Sequence, residues 1–133
     1  MNKIKNLTLV DDDDVFVLLT KIAIKKTNLV DQIMVFSNGL DALIFLKEMK
    51  NNEDALPEII FLDLSMPIMD GWQFLEEFSK LHPELAKKVT IYICSSSISP
   101  RDILRAKTIN EVSDYIIKPI TKDKLEDIIH RLN

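Results

Sequence analysis

Short apolar runs recur five times along this 133-residue chain, and each is followed by a polar residue and then by an amphipathic segment. The clearest run, Ile59 to Leu62, has four apolar residues and is followed at once by Asp63. A short run that is apolar at every position is typical of a strand buried on both faces, as in a parallel sheet. The chain is therefore expected to build a parallel sheet with a carboxylate at the end of one buried strand.

The alternation of patterns predicts the order of elements. The apolar runs predict strands at Leu7 to Val10, Ile33 to Phe36, Ile59 to Leu62, Val89 to Cys94 and Tyr115 to Ile117. Helical spacing predicts a first helix to about Thr27 from Val15, Leu18, Leu19 and Ile22, and later helices at Ala42 to Met49, Phe74 to Leu81, Arg101 to Asn110 and Leu125 to Leu132. Candidate N-caps are Ser37 or Asn38, Asp70 and Thr121. Five strands alternating with five helices predict a doubly wound α/β fold, with residues 1–133 as one domain.

Composition excludes several classes of protein. The net charge of −4 argues against a nucleic-acid-binding surface, which is normally basic. A single cysteine, Cys94, excludes an internal disulfide and fits a reducing compartment. We find no signal-peptide pattern and no apolar run of the roughly 20 residues that a membrane span needs. We therefore expect a cytoplasmic protein without membrane contact.

Polar side chains follow the predicted strands where the carboxyl ends of the strands share one edge of the sheet. Strand one delivers Asp11 and Asp12, strand three Asp63, strand four Ser95 and strand five Lys118. Three close carboxylates repel one another, and a hard divalent cation such as Mg²⁺ removes that repulsion. A cation, a lysine and a hydroxyl suit a phosphoryl group, and an ionised carboxylate is a recognised nucleophile for acyl-phosphate formation. The pattern predicts transient phosphorylation of Asp63.

Four segments carry a resemblance to a known family. They are Val10-Asp11-Asp12-Asp13, Leu62-Asp63-Leu64-Ser65-Met66-Pro67-Ile68-Met69-Asp70-Gly71, Ser95-Ser96 and Tyr115-Ile116-Ile117-Lys118-Pro119. Together they resemble the receiver domain of two-component response regulators over essentially the whole chain. The resemblance implies the flavodoxin-like strand order 2-1-3-4-5. Because the chain leaves no room for an output domain, we expect the stand-alone type.

The resemblance also implies residue roles. Asp63 would be the phosphoacceptor. Asp11, Asp12, Asp63 and the backbone carbonyl of Ser65 would hold Mg²⁺ or Mn²⁺. Ser95 would be the switch hydroxyl, Tyr115 the switch aromatic and Lys118 the partner of the phosphoryl oxygens, while the neighbouring Ser96 remains an alternative for the switch. A histidine kinase or histidine phosphotransfer protein would donate the phosphoryl group. An unidentified downstream protein would then respond, typically at the face of helix four, strand five and helix five.

Other interpretations remain open from the sequence. The chain could be a degenerate receiver that binds partners without phosphate, or a phosphohydrolase of the haloacid-dehalogenase type, which also pairs an aspartate nucleophile with Mg²⁺. The second type needs a general acid two residues after the nucleophile, where this chain has Ser65. The acidic run could also be only a helix start, since acidic residues favour a helix N-terminus. We expect a signalling phosphoacceptor rather than an enzyme acting on other substrates.

Overall fold

The computed structural model describes residues 3–132, so Met1, Asn2 and Asn133 of the expected domain lie outside it. The described chain forms a five-stranded parallel sheet in the order β2-β1-β3-β4-β5. The strands are β1 Ile4–Val10, β2 Val30–Phe36, β3 Ile59–Leu62, β4 Thr90–Ser95 and β5 Val112–Ile117. The helices are α1 Asp14–Thr27, α2 Gly39–Glu48, α3 Gly71–Leu81, α4 Pro100–Lys107 and α5 Lys122–Leu132, and a 3-10 turn follows α3 at His82–Glu84. The fold class and strand order are confirmed.

The central strand β3 is buried on both faces and contributes side chains to two separate hydrophobic cores. Ile60 and Leu62 belong to a core with residues of α2, α3 and α4, whereas Ile59 and Phe61 belong to a core with residues of α1 and α5. Because side chains alternate across a strand, a strand covered by helices on both sides must be apolar at every position. This explains why the run before Asp63 is unbroken.

Helix α1 is where the sequence and the structure differ most. The helix forms, but the residues whose spacing predicted it face solvent: Val15, Leu18, Leu19 and Ile22 are 67%, 59%, 58% and 44% exposed. The buried residues are Phe16, Thr20 and Ile24. Phe16 and Ile24 provide a second set of apolar positions, and periodicity alone does not say which set faces the sheet.

Several helix starts follow the expected capping chemistry. The Asn38 side chain caps α2, Asp70 forms a capping box with Gln73 on α3, and the hydroxyl of Thr121 accepts the amide hydrogen of Lys124. Helix α4 begins at Pro100, one residue before the predicted start, and ends at Lys107, three residues before the predicted end. Between residues 3 and 132, no helix has the length and apolar character needed to cross a membrane.

Candidate acidic site at the carboxyl edge of the sheet

Strand register brings the first two carboxylates side by side. Strands β1 and β3 pair Val10 with Leu62, so the next residue on each strand is an aspartate, Asp11 or Asp63. The amide of Asp63 donates a 2.9 Å hydrogen bond to the carbonyl of Val10, and the amide of Asp11 donates one of 2.9 Å to the carbonyl of Phe36. The ladder therefore continues past the strand ends and fixes both backbones at the site.

Carboxylates of Asp11, Asp12 and Asp63 form one cluster, with one oxygen from each lying within 4.8 Å of the others. Asp11 and Asp63 are buried, at 3% and 7% exposure, while Asp12 is exposed. Burial, and then the charge of Asp11, raise the pKa of Asp63 to about 6, against the lowering effects of Lys118 and the backbone amides of Ser65 and Leu64. Burial also raises the pKa of Asp11. The cluster therefore holds negative charge at an energetic cost.

Lys118 partly offsets that charge. Its Nζ lies 2.9 Å from Asp11 Oδ2 and 3.6 Å from Asp63 Oδ1. Burial alone would lower the pKa of Lys118, but the hydrogen bond and charge of Asp11, together with the charge of Asp63, raise it. The same ammonium lies 4.3 Å from the centre of the Phe16 ring, whose face attracts cations. Phe16 is a contact that sequence reasoning did not identify.

The cluster has the donor set that a divalent cation requires. Mg²⁺ binds oxygen ligands at about 2.1 Å in an octahedron, so oxygens up to roughly 4.2 Å apart can share one ion, and water bridges wider gaps. Asp11 Oδ2 is buried, and Lys118 Nζ at 2.9 Å is the polar group that the described structure places beside it. A single ammonium leaves the three carboxylates with an excess of negative charge, which fits a bound divalent cation. Ser65, whose carbonyl was expected as a further ligand, is exposed and lies two residues after Asp63.

A serine and a tyrosine occupy the β4–β5 side of the same edge. Ser95 is the last residue of β4 and is 5% exposed, whereas Ser96 is exposed. The Ser95 hydroxyl accepts a 3.0 Å hydrogen bond from the amide of Ser97, and the Tyr115 hydroxyl donates a 2.9 Å bond to the carbonyl of Ser97. The amide of Lys118 donates to the carbonyl of Ser95 at 2.9 Å. Ser95, rather than Ser96, therefore belongs to the buried edge.

The loop after Asp63 depends on Gly71, the last residue of the longest of the four segments that resemble a receiver domain. Gly71 donates a 3.0 Å hydrogen bond from its amide to the carbonyl of Leu64. A Cβ at this position would lie 2.4 Å from the backbone oxygen of Asp63. A side chain cannot be placed so close to backbone atoms, so the absence of a side chain on Gly71 lets the start of α3 pack against the backbone of Asp63 and Leu64.

Comparison with known proteins agrees with this geometry. The model of the response regulator receiver domain matches residues 7–130. The chain is 25% identical over 126 residues to the probable methanogenesis regulatory protein FilR2 of Methanothrix harundinacea, covering 95% of this chain and 79% of that protein. It is 27% identical over 118 residues to response regulator Rcp1 of Synechocystis, covering 88% and 78%.

Solved structures give the same result. A crystal structure of a two-component response regulator from Cytophaga hutchinsonii matches with a TM-score of 0.88 and 30% identity, covering 98% of both chains. The Mn²⁺-bound form of Rcp1 matches with a TM-score of 0.72 and 26% identity, covering 96% of this chain and 88% of that one. The family match covers far more than half of the described residues. The chain therefore belongs to the response regulator receiver domain family.

Proposed function

We propose that residues 1–133 form one receiver domain, which accepts a phosphoryl group on Asp63. The observation that carries the proposal is the convergence of Asp11, Asp12 and Asp63 with Lys118 at one edge of the sheet. Receiver domains take phosphoryl groups from histidine kinases. We propose such a kinase, or a histidine phosphotransfer protein, as the donor and a downstream protein as the receiver of the signal.

The chain's own residues divide the work of transfer. A carboxylate oxygen of Asp63 forms a bond to phosphorus as the bond from phosphorus to the donor imidazole nitrogen breaks. Lys118, which is already within 3.6 Å of Asp63, pairs with the charged phosphoryl oxygens. The Ser95 hydroxyl turns to donate a hydrogen bond to one of these oxygens, and Tyr115 changes its position with it. Water then attacks phosphorus, the bond from phosphorus to the Asp63 oxygen breaks, and inorganic phosphate leaves the free Asp63 carboxylate.

The proposed metal site uses Asp11, Asp12 and Asp63 together with the backbone carbonyl of Ser65. Mg²⁺ or Mn²⁺ bound there would neutralise the cluster and screen the phosphoryl charge from the carboxylates. The Mn²⁺-bound form of the relative Rcp1 supports this choice of ion. The excess of negative charge that the three carboxylates carry over the single ammonium of Lys118 supports it from this chain's own residues.

The other two functions fit the geometry less well. A phosphohydrolase of the haloacid-dehalogenase type needs a carboxylic acid where this chain has Ser65, and a serine hydroxyl does not donate a proton at neutral pH. We therefore propose a signalling phosphoacceptor that does not turn over other substrates. A degenerate receiver binds neither a metal ion nor a phosphoryl group. It would have no use for a buried pair of mutually repelling carboxylates, which lowers the stability of the fold.

Intact-mass spectrometry tests the proposal. With acetyl phosphate and Mg²⁺ we expect the mass to rise by one phosphate and to return to its starting value with time. Asp63→Asn should abolish the increase, whereas Asp14→Asn, which removes an exposed acid outside the cluster, should retain it. An unchanged wild-type mass with acetyl phosphate and with a panel of histidine kinases would overturn the proposal.

A further inference from the structure

Ser97 uses three of its polar groups to join three parts of the molecule. Its amide donates to the hydroxyl of Ser95 at 3.0 Å, and its carbonyl accepts the hydroxyl hydrogen of Tyr115 at 2.9 Å. Its own hydroxyl donates a 2.8 Å hydrogen bond to Oδ2 of Asp102. One loop residue therefore contacts the proposed switch hydroxyl, the proposed switch aromatic and helix α4 at the same time.

The bond from Ser97 to Asp102 ties the first turn of helix α4 to the loop that follows β4. Ser99 occupies the N-cap position of α4 and makes no side-chain capping bond, whereas Asp102 lies in the first turn. The hydroxyl of Ser97 also accepts the amide hydrogen of Ser99 at 3.2 Å. The start of α4 is thus held by the loop from β4. A hydrogen bond to a carboxylate is also stronger than one between neutral groups.

Helix α4 is poorly anchored elsewhere, so its position can follow the loop. Of its eight residues, Ala106 is the buried one. Helix α3, by comparison, buries Gly71, Phe74, Leu75, Phe78 and Leu81. An element with little buried apolar surface is held by few contacts and belongs to the less stable parts of a fold.

We infer that Ser97 is the positioning residue through which a change at Ser95 reaches helix α4, by its hydrogen bond to Asp102. The inference rests on the proposed function, because it needs Ser95 to turn toward a phosphoryl group. When the Ser95 hydroxyl turns, the amide of Ser97 loses its acceptor and the loop takes a new path. The Ser97 hydroxyl then carries Asp102, and with it the first turn of α4. Tyr115 follows the same residue through the Ser97 carbonyl.

The chain contains its own reporter of the position of α4. Trp72 is the single tryptophan, and the guanidinium of Arg105 on α4 lies 4.3 Å from the centre of its ring. Trp72 is on α3, so the distance between the guanidinium and the indole ring changes when either helix moves. That distance affects the attraction between the cation and the ring. The part of any fluorescence change that disappears in Arg105→Met therefore reports the position of α4.

The test follows two signals during titration with beryllofluoride, a phosphoryl mimic, in the presence of Mg²⁺. Fluorine NMR measures binding of the mimic, and Trp72 fluorescence measures the response of α4. We expect Ser97→Ala to bind the mimic within about threefold of the wild-type affinity, because the lost bond is outside the cluster. We expect the Arg105-dependent fluorescence change to fall by about fivefold or more, because that bond links the loop to α4.

Matched variants separate this role from simple destabilisation. Ser97→Thr and Asp102→Asn keep a donor and an acceptor and should retain most of the fluorescence change, whereas Asp102→Ala should lose it as Ser97→Ala does. Ser99→Ala makes the same substitution in the same loop at a hydroxyl that caps nothing, and should respond like the wild type. Adding Asp102→Ala to Ser97→Ala should cause no further loss, because the two residues act through one bond.

Two results would be decisive against the inference. A full Arg105-dependent change in Ser97→Ala and in Asp102→Ala at saturating beryllofluoride would overturn it while leaving the proposed function intact. Failure of the wild-type protein to bind beryllofluoride, together with an unchanged mass under acetyl phosphate, would overturn the proposed function and the inference with it.

Discussion

On the β1–β3 side of the edge, buried carboxylates are held close together by the strand ladder, whereas on the β4–β5 side neutral hydroxyls and backbone groups are joined by loop hydrogen bonds. The first side is fixed in position and carries unfavourable charge, as the raised pKa of Asp63 shows. The second side carries little charge, and its hydrogen bonds can be exchanged at small cost. Under the proposed function, the first side would bind the cation and the phosphoryl group, and the second side would respond to them.

Lys118 connects the two sides, and replacing its side chain should have the largest effect, which is on the rate of phosphorylation. It follows β5, its amide bonds to Ser95, and its ammonium reaches Asp11 and Asp63. We expect Lys118→Met to slow phosphorylation of Asp63 by roughly 100-fold or more, because removing a preorganised charge from a reacting centre has effects of this size. Time courses by intact-mass spectrometry with acetyl phosphate measure the rate. Lys122→Met, at an exposed lysine nearby, should leave it unchanged.

Charge on the β1–β3 side should make stability depend on pH. The pKa of Asp63 is about 6 in the folded protein against an ordinary value of 3.8, so the folded state binds the proton more tightly than the unfolded state does. The stability that this group contributes is present below the ordinary value and is lost as pH rises through about 6. Without metal, Asp63→Asn should raise the free energy of unfolding by roughly 3 kcal/mol near pH 8 and by little near pH 4.

Urea denaturation at both pH values checks this prediction, and Mg²⁺ sharpens it. Saturating Mg²⁺ should stabilise the wild-type protein at the higher pH and reduce its difference from Asp63→Asn, since a ligand that binds the folded state stabilises it. Equal stability of the two proteins at every pH would show that folding does not raise the pKa of Asp63.

The β4–β5 side should behave differently. Tyr115→Phe removes the hydroxyl that donates to Ser97, and we expect a loss of about 1 kcal/mol, the usual net contribution of one hydrogen bond. This hydrogen bond involves no carboxylate with a raised pKa. The loss of stability should therefore be the same with and without Mg²⁺ and at both pH values. A loss that changes with Mg²⁺ in the unphosphorylated protein would break the distinction between the two sides.

The loop between Asp63 and α3 offers a test of similar size outside the two sides of the edge. Ile68 has a φ of 69°, a left-handed conformation that is costly for a β-branched residue, and its side chain is 74% exposed. Replacement by asparagine, which tolerates this conformation, should stabilise the protein by about 1 kcal/mol. Ile98→Asn is the matched control, because Ile98 is 75% exposed and is not among the residues of positive φ. Thermal unfolding of both variants measures the difference.

The two sides also differ in how much the sequence could predict. Strand ends on a parallel sheet lie at one edge, so the position of Asp11 next to Asp63 followed from strand order alone. The hydrogen bond from Ser97 to Asp102 depends on the path of a loop, for which the sequence has no periodic signal. Helix α1 was predicted from Leu18 and its neighbours, yet Phe16 and Ile24 face the core, because which apolar face packs is decided by tertiary contacts.

We propose that Asp11, Asp12 and Asp63 share one divalent ion and leave a carboxylate oxygen of Asp63 free to bond phosphorus. A crystal structure grown with Mn²⁺ and beryllofluoride, with anomalous diffraction to locate manganese, tests this arrangement. We expect one manganese peak between the three carboxylates and beryllium bonded to an Asp63 oxygen within reach of Lys118 and Ser95. Manganese bound elsewhere, or beryllofluoride away from Asp63, would contradict it.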